Sequence, residues 1–419
     1  MNDTLKNAID KDYSYIHKLY THLHSHPELS FHEQKTAERL AKELRETGFE
    51  VTERVGGYGL VALMHNGEGP TVMIRTDMDA LPIKEKTELP YASTQYHQEK
   101  NGHTIPIMHA CGHDIHMSLF IGTARRMAAM KDHWSGTLMM IAQPAEEKGV
   151  GARLMLEEGL FEKFVRPDYN LALHVHPELP SGTVSVQSGY SFSNVDSVDI
   201  NVFGQGGHGA MPDSAKDPVV LAAHIVIALQ TIVSREVSPQ DAAVVTVGTI
   251  HGGIKRENIP EQVDLQLTVR TYAEETRKQV LTSIKRIAEN QGRSFGISED
   301  KLPEVHIEQK YIPAVYNDPA LSQQIREHFE KKLGREQIKN IKPTMVGEDF
   351  TLYGRIEPRI PSLMFRLSAT DPSAYARAKN ENISLPPLHS SHFAPPPEAT
   401  IKTGIEAMTE AALLLLEKQ

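Results

Sequence analysis

The sequence has very little cysteine: Cys111 is the only thiol among 419 residues. One thiol cannot form a disulfide within the chain, so a disulfide-stapled scaffold is excluded and a reducing compartment is expected. The first residues also show neither the basic start nor the apolar stretch that is typical of a secretory signal. We therefore expect a cytoplasmic protein.

Long hydrophobic runs and an excess of basic residues are absent as well. The longest apolar run, residues 219–233, is shorter than the ~20 apolar residues of a membrane span and is interrupted by polar side chains. It predicts a core helix and no membrane anchor. Lys and Arg number 44 against 54 Asp and Glu, which gives a net charge of −10. The sequence contains no basic block that could follow a phosphate backbone, so we expect no nucleic-acid partner.

The chain does have a globular composition, with 40% hydrophobic and 23% charged residues. Its length suggests two to three domains. Helical stretches, such as 36–47 and a helix that runs through 119–130, separate most of the short apolar runs that predict buried strands. Those runs are 71–76, 137–142, 171–175 and 362–367. This alternation predicts an α/β domain with a mostly parallel central sheet.

A different pattern begins near Tyr190. The order strand, helix, strand, strand, helix, strand predicts a small ferredoxin-like α+β domain. Proline and glycine residues at 177–182 and around 303–313 mark its joints. We expect one domain over residues 1–188 and 312–419, with residues 189–311 inserted into it.

Polar clusters follow three of the predicted strands. One strand runs into Asp77 and Asp79, a second runs into Glu146 and Glu147, and a third contains His174 near its end. Because ligands bind beyond the carboxyl ends of strands in open α/β sheets, these side chains are expected to meet in one crevice.

The segment 109–116, HACGHDIH, is the fourth contributor. Cys111 and His113 lie two residues apart before a predicted helix, whose N-terminus would favour the thiolate that binds metals. A lone cysteine is more often a small buried hydrophobe, but the nearby strand-end acids and His174 favour a metal site. In the pair Glu146–Glu147, one carboxylate could bind metal while the other moves protons.

Two other interpretations of these residues stay open. Cys111 could be the nucleophile of a thiol hydrolase with a histidine base, although Glu146, Glu147 and His174 would then have no role. A non-catalytic metal-binding module is the second alternative, which the ligand spacing alone does not refute.

The glycine-rich segment 204–209 matches G-x-G-x-x-G and follows a predicted strand. The next predicted helix does not start directly after it, and no acidic residue follows at the expected distance, so a dinucleotide site is not expected. We interpret the segment as a mobile backbone that presents His208.

Nine segments, in order along nearly the whole chain, together resemble the M20 metallopeptidase family. The resemblance is closest to its amidohydrolase branch, which contains N-acyl-amino-acid amidohydrolases, hippurate hydrolases and auxin-conjugate hydrolases. The segments are HSHPELSFHE (24–33), RTDMDALPI (75–83), HACGHDIHM (109–117), QPAEEKGVGARLMLEEG (143–159), LALHVHPELPSGTV (171–184), GQGGHGAMPD (204–213), ENIPE (257–261), GEDF (347–350) and LHSSHF (388–393).

The resemblance implies a metal-dependent hydrolase that cleaves the amide bond of N-acyl amino acids by attack of a metal-bound hydroxide. A dipeptidase or aminopeptidase of the same family is the alternative. It also implies two divalent ions (Zn, Mn, Ni or Co) in the α/β domain, and an inserted lid that closes over substrate and forms a homodimer or homotetramer. The implied metal ligands are Cys111, His113, Glu147, His174 and His389. The implied catalytic residues are Glu146 as general base, Asp77 as a supporting acid and His208 as a contact to substrate or oxyanion, with Asn258 and Glu348 lining the pocket.

Two departures from the family pattern concern the ligands. Arg75 stands where many M20 peptidases have a metal-binding histidine, which is consistent with His113 supplying a ligand instead. In the last motif Ser391 replaces the usual proline, so His392 is a rival to His389 as the final ligand.

Overall fold

The computed structural model describes residues 2–99 and 102–418 of the chain. The chain divides into two compact units. The first contains the residues up to Ser191, Tyr316–Lys342 and the residues from Asp349 onward, and the second contains Phe192–Val315 and Pro343–Glu348. The second unit is therefore an insertion, with boundaries a few residues from those expected.

The segment Pro343–Glu348 belongs to the second unit, although the sequence pattern had placed it in the first. The reason is backbone pairing: Thr344 forms a bridge with Phe192, and the N–H of Ser193 donates to the carbonyl of Val346 at 3.0 Å.

A seven-stranded sheet forms the centre of the first unit. Its strands, in spatial order, are Glu50–Glu53, Leu60–Asn66, Gly136–Gln143, Thr71–Asp77, Tyr169–Pro180, Ser362–Thr370 and Val184–Ser185. The three central pairings are parallel, and the pairings toward both edges are antiparallel. All four predicted strands are present, so the expected mostly parallel α/β sheet is confirmed.

The register of the parallel strands positions the polar clusters. Asp77 is paired with Gln143, and Arg75 is paired with both Ile141 and Ala172. The strand Thr71–Asp77 is buried along its whole length, including its polar residues Arg75 and Asp77. The carboxyl ends of these strands therefore lie side by side, and the polar residues at those ends share one edge of the sheet.

Nine helices surround the sheet within the described part of the first unit, and short strands complete it. The helices are Asn2–Ser25, Gln34–Glu46, His113–Ala129, Gly151–Glu157, Leu160–Lys163, Pro319–Lys332, Thr351–Gly354, Pro372–Glu381 and Pro397–Leu415. The short strands Tyr96–Gln98 and Thr104–Pro106 pair with each other. The short strands Gly189–Phe192 and Val315–Asn317, which contain the chain positions where one unit ends and the other begins, also pair. In the predicted helix Gln34–Glu46, Leu40, Ala41 and Leu44 are buried at helical spacing.

The second unit is a four-stranded antiparallel sheet with two long helices. Its elements, in chain order, are Asn194–Phe203, the helix Pro218–Thr231, Ala243–Gly252, Gln262–Thr271, the helix Glu274–Ser294 and Glu304–Ile307. This is the expected strand, helix, strand, strand, helix, strand order. The glycine-rich segment leads into a short strand, Gly207–His208, paired with Asn258–Ile259, and does not open a helix.

The apolar stretch 218–236 is only partly a core helix. By length and composition it could cross a membrane, and one third of it (33%) is buried. Leu221, Ile225 and Leu229 are fully buried, whereas Val220 and Ile227 are 46% and 70% exposed. The prediction of a core helix is therefore correct for one face and wrong for the other, because apolar residues on every side of a helix hide which face is buried.

Candidate metal centre

Cys111 and His174 meet at the carboxyl end of the central sheet. The Sγ of Cys111 lies 3.5 Å from Nε2 of His174. The Nδ1 of His174 contacts the carbonyl of Val175 at 2.8 Å, and a carbonyl can only accept, so Nδ1 carries the proton and Nε2 the lone pair. The nitrogen of His174 that can bind a metal ion therefore faces the thiol of Cys111.

His113 opens the helix His113–Ala129 directly after Gly112, which has a left-handed conformation (φ +77°). Its Nδ1 donates to the backbone carbonyl of Asp79 at 2.7 Å, so Nε2 is the nitrogen that can bind a metal ion once it has lost its proton. This Nε2 lies 3.9 Å from a carboxylate oxygen of Glu146 and 3.9 Å from one of Glu147. The separations are too long for hydrogen bonds and suit ligands that share an ion.

Glu146 and Glu147 lie on a tight turn after the strand Gly136–Gln143. Ala145 enters the turn with a positive φ of +50°. The N–H groups of Glu146 and Glu147 donate to the two carboxylate oxygens of Asp79, at 3.1 and 3.0 Å. Asp79 is itself 1% exposed, so a buried carboxylate fixes the backbone of both glutamates.

The loop that contains His389 completes the cluster. His389 has a positive φ of +64°, and its Nε2 lies 3.4 Å from Oε2 of Glu147. The rival residue His392 is exposed, and its Nδ1 contacts the hydroxyl of Ser391 at 3.1 Å. Among the described residues, a nitrogen of His389, and not of His392, lies within 4.8 Å of ligand atoms of both Cys111 and Glu147.

Two groups of ligand atoms share Cys111. One contains Cys111, His113 and His174, the other contains Cys111, Glu147 and His389, and the atoms of each group lie within 4.8 Å of one another. A cysteine sulfur common to two groups is the arrangement that a metal-bridging cysteine requires.

An added positive charge would stabilise the acidic groups of this cluster in their ionised forms. Burial, together with Glu147 and Glu146, raises the pKa of the Cys111 thiol well above its ordinary value. Burial and the two glutamates therefore outweigh the lowering of the Cys111 pKa that was expected from the helix N-terminus. Burial also raises the pKa of Glu147, to about 7, whereas for His113 the nearby Asp77 and Asp79 outweigh burial and raise its pKa to about 10.

Two buried atoms lie where a metal ion would supply this charge. His113 Nε2 and Glu147 Oε1 have no hydrogen-bond partner among the described residues. Buried polar atoms without a partner are costly, and an ion between them would satisfy both. Thiolate, imidazole and carboxylate form a donor set that suits zinc and its first-row neighbours. The residues present therefore fit divalent metal ions.

Asp77 lies beside this cluster and has other partners. Its carboxylate accepts from Nη1 of Arg75 at 2.7 Å and from Nδ1 of His116 at 2.7 Å, while Nε2 of His116 accepts the N–H of Val175 at 2.9 Å. Arg75 also donates to Asp349 at 3.1 Å. Arg75 thus serves as a buried cation that neutralises two acids, and Asp77 supports the strand that carries His174.

Two residues that support the site lie within the sequence motifs, although the sequence analysis gave them no role in binding or catalysis. Asp79 is the second acid of RTDMDALPI, and His116 is the last histidine of HACGHDIH. Both are almost completely buried, at 1% and 2% exposure. Each of them, however, contacts backbone N–H groups distant in the chain, at Glu146 and Glu147 for Asp79 and at Val175 for His116, which spacing alone does not reveal.

The remaining predicted residues belong to the second unit. His208 and Asn258 are directly paired in a two-stranded sheet and line a cavity of about 700 Å³. The Nδ1 of His208 accepts the N–H of Ala210 at 3.0 Å, so Nε2 carries the proton and can donate. Glu348 is buried, at 1% exposure.

Comparisons with known proteins agree with one another. Residues 73–412 match Peptidase family M20/M25/M40. The chain is 36% identical to N-acetyl-L-cysteine deacetylase of Bacillus subtilis, over 79% of this chain and 76% of the relative. It is 34% identical to hippurate hydrolase of Campylobacter jejuni, over 90% of both chains. The structure of the Bacillus subtilis YXEP protein, described as a dinuclear metal binding peptidase from the M20 family, superposes with a TM-score of 0.78 at 29% identity, over 97% of this chain and 99% of the other.

Proposed function

The chain belongs to peptidase family M20/M25/M40, and on that premise we propose that it is a metal-dependent amidohydrolase that cleaves N-acyl amino acids. Relatives named as a deacetylase of N-acetyl-L-cysteine and as a hippurate hydrolase support this substrate class. N-acetyl and N-benzoyl amino acids are the conjugates that we expect it to hydrolyse.

Two divalent ions would be held by Cys111, His113, Glu147, His174 and His389. The observation that carries this assignment is the position of Cys111 in both groups of ligand atoms. The relative described as dinuclear supports the number of ions. When bound, such ions lower the pKa of water from ~16 toward ~7 and polarise the substrate carbonyl.

Glu146 is the general base in this proposal. Its carboxylate faces the same space as Nε2 of His113, at 3.9 Å, and its backbone is fixed by Asp79. It takes the proton from the attacking water and returns it to the nitrogen of the leaving amine. In the second unit, the protonated Nε2 of His208 is suited to donate to the oxygen on which negative charge develops.

A thiol hydrolase is a poorer explanation of the same residues. A nucleophilic cysteine needs a lowered pKa, whereas burial and two glutamates raise the pKa of Cys111. A bound metal ion would reverse that effect, so the thiolate and the metal are expected together.

The test is a substrate panel with matched variants of the two adjacent glutamates. Wild-type protein supplied with Zn, Mn, Co or Ni is assayed on N-acetyl and N-benzoyl amino acids and on dipeptides. Glu146→Gln should keep its ions and lose hydrolysis by about 10²- to 10⁴-fold, the usual effect of removing a general base. Glu147→Gln should bind metal more weakly. A Glu146→Gln protein with wild-type activity would show that the base is assigned wrongly, and no hydrolysis of any substrate would favour a binding module.

The second unit is proposed to carry a homodimer interface. The strand Ala243–Gly252 lies at one edge of its sheet, and Val220 and Ile227 of the helix are exposed apolar residues. An edge strand beside apolar surface is suited to pair with a second copy around a two-fold axis. Sedimentation should show a dimer that Ile227→Asp weakens, and a monomeric wild type would refute the interface. A cytoplasmic location is proposed as well, because Cys111 must stay reduced to bind metal.

A further inference from the structure

The motif HSHPELSFHE, residues 24–33, has no role in the chemistry described above, yet it lies against the loops of the metal centre. Leu29 forms a parallel bridge with Ala80, and the N–H of Ala80 donates to the carbonyl of Glu28 at 2.8 Å. The hydroxyl of Ser30 donates to Oδ2 of Asp79 at 2.7 Å. The segment therefore follows the backbone next to Asp79.

Glu33 ends this segment with a contact to the catalytic turn. Its Oε1 accepts the N–H of Ala145 at 2.8 Å, and the side chain is completely buried. Because Asp79 accepts the next two N–H groups, three consecutive backbone donors, at Ala145, Glu146 and Glu147, are held by two buried carboxylates. Glu33 holds the first residue of the turn, and Asp79 holds the two functional ones.

The turn needs such support because Ala145 is strained. Its φ of +50° lies in the left-handed region, which is unfavourable for residues other than glycine. Such a conformation persists only where the surroundings impose it. The carboxylate of Glu33 is itself costly to bury, and its Oε2 has no hydrogen-bond partner among the described residues. A backbone N–H could be satisfied with a much smaller penalty by a neutral group.

We propose that Glu33 is a positioning residue that fixes the turn through Ala145, and so sets where Glu146 and Glu147 face the metal centre. It touches neither substrate nor metal and acts only through the backbone. The kinetic part of this inference rests on the proposed amidohydrolase function, whereas its structural part does not.

The test compares three variants of the full-length protein. Glu33→Ala removes the acceptor, and Glu33→Gln keeps an oxygen that can accept the N–H of Ala145. Glu43→Ala is the matched control, since Glu43 is a buried carboxylate (3% exposed) on the adjoining helix Gln34–Glu46. The carboxylate of Glu43 accepts hydrogen bonds from the side chains of Tyr15 and Arg39, and neither residue belongs to the turn at 145–147.

Two readouts are measured on each variant. Hydrogen exchange of the peptide that spans residues 143–149 reports the turn without any substrate. We expect faster exchange in Glu33→Ala and wild-type exchange in Glu33→Gln and Glu43→Ala. The kcat of Glu33→Ala should fall on the order of 10- to 100-fold with little change in KM, since misplacing a reacting group by about 1 Å has effects of that size. Glu33→Gln should keep kcat within about threefold, as expected for a retained acceptor.

The outcomes separate the two proposals. Unchanged exchange and unchanged kcat in Glu33→Ala would refute the positioning role, as would a Glu43→Ala protein that loses kcat equally. Faster exchange in Glu33→Ala beside an inactive wild type would uphold the positioning of the turn and refute the amidohydrolase.

Discussion

Gly112 separates the ligands Cys111 and His113, and its replacement by alanine tests whether the geometry of this turn is required. Gly112 has a φ of +77°, and a Cβ atom built on it would lie 2.6 Å from Cγ2 of Val175. Val175 is a stiff β-branched residue, 1% exposed, that follows His174 in the central sheet. A methyl group at position 112 therefore strains the backbone and also pushes against the strand that carries another ligand.

The two effects can be estimated separately. A left-handed conformation costs an L-residue about 1–2 kcal/mol. Overpacking of a buried site by one carbon typically costs about 1–3 kcal/mol. The free energy of unfolding of Gly112→Ala should therefore fall by about 2–5 kcal/mol, and the affinity for metal should fall because His174 and His113 are displaced together.

Gly57 provides the matched control for this experiment. It also has a positive φ, +96°, but a Cβ atom built there meets nothing within 4 Å. Gly57→Ala should therefore cost only the conformational part, about 1–2 kcal/mol, and keep both ions. Urea unfolding is followed by the fluorescence of Trp134, the only tryptophan, which is fully buried in the first unit. Metal content is measured after dialysis.

Equal losses of stability in Gly112→Ala and Gly57→Ala, with both ions retained in both, would refute the reasoning. A further check is the double variant Gly112→Ala/Val175→Ala, in which the close contact is removed. It should recover metal binding relative to Gly112→Ala while the backbone strain remains.

Two other predictions concern His24 and Cys111. Hydrogen bonds to Asp114 and Glu85 outweigh burial and raise the pKa of His24 to about 10, against about 6.5 in the unfolded chain. Its stabilisation is thus complete below about pH 6.5 and lost as the pH rises to 10, so the wild-type free energy of unfolding should fall over this interval more steeply than that of His24→Gln. Cys111, 6% exposed, should react with iodoacetamide only after chelation of the metal, and faster at alkaline pH because its pKa is raised; mass spectrometry that finds rapid alkylation of metal-loaded protein would contradict its role as a ligand.

The central strands of the sheet could be predicted from the sequence because they are buried on both faces. The apolar run 71–76 became Thr71–Asp77, every residue of which is buried. Parallel pairing then aligns the carboxyl ends of the strands, so strand-end polar residues such as Asp77 and His174 were expected to lie near each other. For this reason, the general location of the site followed from pattern alone.

The partners of the buried charges could not be predicted in the same way. Arg75 pairs with Asp349, which is 274 residues away, and Glu33 reaches Ala145 across 112 residues. No local periodicity encodes such contacts. The supporting role of Asp77 was expected, but its two partners, Arg75 and His116, were not identified from the sequence.

Metal content measured together with hydrolysis is the most direct test of the proposed chemistry. The protein is stripped of metal by chelation, and Zn, Mn, Co or Ni is added back in steps while N-acetyl and N-benzoyl amino acids are assayed. Hydrolysis should disappear with the metal and return as the protein approaches two ions per chain. Full hydrolysis by protein that contains no metal would contradict the dinuclear amidohydrolase and would favour catalysis by the Cys111 thiol.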